Sequence, residues 1–81
     1  MFERKYCISE GRLCKKSNLV PVPDDEPVFI FRAKDRKSLG AILAYCVTLD
    51  SLDQREAVMK CVEDFRRFQQ LNPDRMGEPE P

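Results

Sequence analysis

The residues with the most chemistry to offer in this chain of 81 residues lie in one short run: Arg32, Lys34, Asp35, Arg36, Lys37 and Ser38. Four cations gathered where a helix is expected to begin stand beside free backbone N–H groups, a combination suited to holding a phosphate or a carboxylate. Asp35 occupies the expected N-cap of that helix, where its carboxylate can accept amide hydrogens of the first turn. The cations oppose the positive end of the helix dipole, so the sequence tolerates a local cost there. Tyr45 adds a flat ring, and stacking combined with cations is how nucleotides are recognised. Arg32, Lys34, Asp35, Arg36, Lys37, Ser38 and Tyr45 therefore form the candidate ligand site. The plainer alternative is a solvated charged loop.

Enzyme chemistry has few footholds. Histidine is absent, which removes the usual general base at neutral pH, and no nucleophile elbow, Walker loop or dinucleotide fingerprint occurs. A nucleophilic Cys7 or Cys14 has only lysine or arginine nearby to activate it. Asp24, Asp25 and Glu26 sit consecutively on a proline-rich loop, a weak pattern for a divalent cation. A non-catalytic protein is expected, with no cofactor and no metal.

The four cysteines are too sparse for a secreted disulfide scaffold. Their spacing lacks the close pairs typical of structural zinc, so Cys46 and Cys61 are read as small apolar core residues. The acidic and basic side chains, 14 of each, cancel, and no general grip on DNA or RNA is suggested. No apolar run has the length of a membrane helix and no signal-peptide pattern is present, so a cytoplasmic protein without membrane contact is expected.

The elements that must position the corner follow from pattern. Residues 2–16 read as a β-hairpin: apolar and polar residues alternate up to Ser9-Glu10-Gly11-Arg12, which contains the glycine that a tight turn requires. With Glu10 and Gly11 as the loop, Cys7 lies opposite Cys14, close enough for a disulfide or two metal ligands, although free thiols are expected in a reducing compartment. Residues 15–27, with Pro21, Pro23 and Pro27, form a connection with room for a short edge strand at 19–22. Val28, Phe29, Ile30 and Phe31 read as a further strand covered on both faces. Arg32, on the face of Val28 and Ile30, either emerges at the strand end or sits in a pocket with an acidic partner or a ligand.

Leu39, Ile42, Leu43 and Cys46 make a helical stripe. Ser51 to Gln54 has the form of a capping box, opening a second helix with the stripe Val58, Cys61, Val62, Phe65 and Phe68. Glu56–Lys60 and Glu63–Arg67 are spaced as i, i+4 ion pairs. Asn72-Pro73 stops the helix. The expected fold is α+β: an N-terminal β-hairpin plus one further strand, packed on an antiparallel αα-hairpin. Residues 1–71 form one small domain and residues 72–81 a disordered Pro/Glu-rich tail. So thin a core calls for stapling or oligomerisation, and a homo-oligomer is expected.

EPVFIFRAKDRKS, followed by a helical hairpin ending in FRRFQQLNPDRM, resembles small accessory proteins of tailed bacteriophages that share a P-V-F-x-x-R-A-x-D core. The likeness covers residues 26–76. Such proteins include inhibitors of host defence, among them compact oligomeric sponges that sequester cyclic nucleotide signals without cleaving them. By that analogy the chain sequesters a small anionic nucleotide inside an infected cell. The alternative is an inhibitor or adaptor of a host protein, acting through the second helix or the C-terminal tail.

Overall fold

In a computed structural model, which describes residues 4–81, the chain turns back on itself at Glu10 and Gly11. Both adopt positive φ, 51° and 75°, as a two-residue hairpin turn requires; glycine accepts this freely and glutamate at a small cost. The turn joins strand β1 (Tyr6–Ser9) to β2 (Arg12–Lys15) in the expected register, with Ile8 opposite Leu13 and Cys7 opposite Cys14. Phe2, the expected start of the hairpin, lies outside the described residues. On the other edge of β2, Val22 N–H donates to the Leu13 carbonyl at 2.9 Å and Lys15 N–H to the Val20 carbonyl at 3.0 Å, around a single bridge between Cys14 and Pro21. Pro21 faces Cys14 between those two bonds, where no N–H is needed. Flanked on both sides, Cys14 is buried.

The further strand expected at residues 28–31 does not form. Val28, Phe29, Ile30 and Phe31 are 53%, 82%, 64% and 39% exposed, and none takes part in a backbone hydrogen bond with the described residues. Strand preference is largely a preference for packed cross-strand neighbours, and within one chain this segment has none. The rings of Phe29 and Phe31 meet edge to face instead, with centroids 4.9 Å apart.

Helix α1 (Ser38–Val47) and helix α2 (Leu52–Leu71) lie against each other across the short link at 48–51. Ile42 and Cys46 of α1 and Val62 of α2 are buried between them, which places both expected stripes on the inner faces. Ser51 caps α2 as its sequence suggested, with its hydroxyl accepting from Gln54 N–H at 3.4 Å. Ser51→Ala is expected to cost about 0.5–1 kcal/mol, the low end for a cap because the bond is long. Urea unfolding followed by helical circular dichroism measures it.

Two expectations about the helices are corrected. Neither Glu56–Lys60 nor Glu63–Arg67 closes into an ion pair among the described residues; on an open helix face the entropy of two long side chains offsets the weak attraction. Helix α1 also starts later than Asp35, with Lys37 at the N-cap and no side-chain cap.

The C-terminal residues are not a free tail from 72 onward. Asn72 closes α2 through two bonds to the Phe68 carbonyl, from its backbone and side-chain nitrogens, both 2.9 Å. A 3-10 turn, Pro73–Arg75, then reverses the chain. The Arg75 guanidinium lies over the Phe68 ring, 4.7 Å from its centroid, a cation–π contact that anchors the turn. From there residues 76 and 77 run back to the start of α1.

No Cα of either strand comes within 8 Å of a Cα of either helix. A forked ion pair ahead of β1 ties the two parts: the Arg4 guanidinium donates to both carboxylate oxygens of Asp64 on α2, at 2.8 and 3.1 Å. No helix is long and apolar enough to cross a membrane among the described residues.

Candidate functional site

Gly77 determines the shape of the basic corner. Its N–H donates to the Lys34 carbonyl and its carbonyl accepts from Arg36 N–H, both at 2.9 Å, forming a parallel bridge opposite Asp35. Residues 34–36 are thereby held out of the helix, which is why α1 begins at Ser38. Asp35 acts one step earlier than an N-cap: its Oδ1 accepts from Lys37 N–H at 2.8 Å, closing a local turn. The Ser38 hydroxyl donates to the Asp35 carbonyl at 2.7 Å and is fully buried, 0% exposed. From α2, the Gln69 side-chain amide donates to the Ala33 carbonyl at 3.1 Å.

The seven candidate residues thus divide by role. Asp35 and Ser38 are consumed in building the corner, and a ligand does not reach the Ser38 hydroxyl. Lys34 and Lys37 face carboxylates of their own chain, Lys34 Nζ at 3.8 Å from Glu80 and Lys37 Nζ at 3.6 Å from Glu78. The Arg36 guanidinium reaches the Met76 carbonyl at 3.4 Å. Arg32 is exposed and its side chain has no hydrogen bond or ion pair among the described residues. Tyr45 is separate from this group: it lies two helical turns beyond Ser38, roughly 10 Å along the axis, with no ring contact to the corner.

Sequence reasoning missed Gly77, Glu78, Glu80 and Gln69. The signal for the two glutamates was there, since Glu78-Pro79-Glu80-Pro81 alternates acid with proline. Extended geometry then sets both carboxylates on one side, facing a run of cations.

The Lys34 and Lys37 pairs are loose and solvated, so each contributes about 0–1 kcal/mol. The corner itself is an open surface. A cleft of about 590 Å³ lies elsewhere, along the hairpin, lined by Arg4, Lys5, Tyr6, Lys15 and Lys16, and a second of about 250 Å³ includes Gly11, Val22, Asp24, Glu26 and Val28.

Away from the corner, the Asp64 carboxyl is held below its ordinary value, first by the hydrogen bond from Arg4, against partial burial, and with help from the charges of Arg4 and Arg67. A carboxylate with a lowered folded pKa stabilises above its unfolded value and loses that contribution as pH falls through the folded value. Acid should therefore weaken the tie between hairpin and helices. Urea midpoints measured from neutral to strongly acidic pH should fall less steeply in Asp64→Asn than in the parent; identical slopes would contradict this.

Comparison with protein-family models, with curated proteins and with solved structures finds no match for this chain.

Proposed function

We propose that this chain is a non-catalytic, phage-type binding protein that sequesters a small anionic nucleotide at the corner of Lys34, Arg36 and Lys37, inside the host cell. One observation carries this reading: Lys34 and Lys37 already face two carboxylates, Glu80 and Glu78, of the chain's own C-terminus. A corner that collects anions from its own chain through weak, solvated pairs is suited to exchanging them for a phosphate, which accepts charge-assisted hydrogen bonds from several donors at once. Sequestration, rather than turnover, accords with a histidine-free chain. The engagement of residues 76–80 with the corner weighs against the alternative in which a free tail docks on a host protein.

Calorimetric titration with a panel of cyclic and linear nucleotides tests the reading. Binding of at least one member is expected, weakened at least ~10-fold by Lys34→Ala or Lys37→Ala, since a hydrogen bond to a charged group contributes about 1.5–3 kcal/mol. No binding across the panel, or equal binding by both variants, would remove the proposal.

A further inference from the structure

We propose that residues 26–32 pair antiparallel with the same residues of a second copy of this chain, across a two-fold axis at Phe29. This inference is independent of the ligand reading. Four apolar residues with strong strand preference stand largely in solvent, and their N–H and carbonyl groups have no partner in the described chain. Such an edge is a template for another strand.

The single chain buries few apolar side chains of its own. Among the described residues the buried apolar side chains are Cys14, Ile42, Cys46 and Val62, and the radius of gyration is 13.8 Å against about 12 Å for a compact domain of this length.

The sequence of the segment argues that the occupant is a second copy. With Phe29 opposite Phe29, Val28 falls opposite Ile30, Phe31 opposite Pro27, and Arg32 opposite Glu26. Each terminal cation then meets an acid, twice by symmetry, as an isologous interface requires. Neither Glu26 nor Arg32 has a side-chain partner among the described residues of its own chain.

Backbone chemistry selects the same register. In an antiparallel ladder, hydrogen-bonded and non-hydrogen-bonded pairs alternate, and a proline is tolerated only where no N–H is needed. Placing Pro27 and Phe31 in a non-hydrogen-bonded pair puts Phe29 opposite Phe29 in another, at about 4.5 Å between Cα atoms. The two Val28/Ile30 pairs then exchange the N–H and carbonyl groups that are free. Glu26 N–H and the Arg32 carbonyl are already engaged, with the Pro23 carbonyl at 3.2 Å and Asp35 N–H at 3.0 Å, so the ladder ends there and only the side chains of Glu26 and Arg32 meet. One face of the ribbon carries Val28 and Ile30, the other the phenylalanines and Pro27. Centring the pair on Ile30 instead would set Arg32 against Val28 and leave the charge without a partner.

Sedimentation equilibrium of the full chain over a range of concentrations is the test, with helix content checked by circular dichroism. The parent should be dimeric. Phe29→Glu, at a side chain exposed in the single chain, should keep its helix content and weaken the dimer at least ~100-fold, the effect of losing a central aromatic anchor. Glu26→Arg and Arg32→Glu should each weaken it through facing like charges, and the double variant should recover the parent affinity. A parent that stays monomeric, an assembly that survives Phe29→Glu, or a double variant no tighter than either single one would overturn the proposal.

Discussion

Val62→Ala is expected to lower the unfolding free energy by about 2 kcal/mol, the loss of two buried methyl groups plus the cavity they leave. Val62 is 0% exposed at the seam of α1 and α2, where Ile42 and Cys46 are the other buried apolar side chains. A core this small cannot redistribute the loss. For a domain of this size about 2 kcal/mol corresponds to a fall in melting temperature of roughly 8–16 °C. Val47→Ala, at a side chain 79% exposed, serves as the control and should leave the transition nearly unchanged. Calorimetry that showed equal small shifts for both would mean that the helix seam is not what holds the domain together.

The double substitution Lys34→Ala/Lys37→Ala is expected to reduce affinity for a nucleotide phosphate by roughly 100-fold or more, because each lysine supplies a charge-assisted bond of about 1.5–3 kcal/mol. Glu78→Gln/Glu80→Gln should act in the opposite direction and less strongly. The pairs those glutamates make with the lysines are exposed, about 0–1 kcal/mol each, so removing their competition should tighten binding by no more than ~30-fold. The size order matters: a ligand held by the corner must outcompete the tail, and the lysine variants must therefore move affinity further than the glutamate variants do. Titration calorimetry of both double variants against the parent measures this. Raising salt should weaken the parent and the glutamate variant alike, since the ligand contact is ionic in both. If the glutamate variant bound no more tightly than the parent, the tail would not be competing for the site.

Where local chemistry decides the structure, the sequence was legible. Glu10-Gly11 dictated the hairpin register, Ser51 to Gln54 the start of α2, and Asn72-Pro73 its end, because each depends on a few adjacent residues and their backbone demands. The helical stripes around Ile42 and Val62 were legible for the same reason. Residues 28–31 were misread because strand preference reports the need for a neighbour without supplying one. Asp35 was misplaced as an N-cap because the bond partner that holds residues 34–36 extended is Gly77, far along the chain. The C-terminal residues read as disorder from their prolines and charge, yet that charge is complementary to Lys34 and Lys37. Of the candidate site, Arg36 and Lys37 are exposed and Lys34 is half-buried, while Ser38 is buried and Tyr45 lies two turns further along α1.

The central claim is that an anion at the corner takes the place of the tail carboxylates. Backbone amide chemical shifts followed by NMR during titration with a cyclic nucleotide test it most directly. Shifts should appear together at residues 34–38 and at residues 77, 78 and 80, as the ligand engages the lysines and displaces Glu78 and Glu80. Shifts confined to the hairpin around Lys15 and Lys16, with the corner and the C-terminus unmoved, would contradict it.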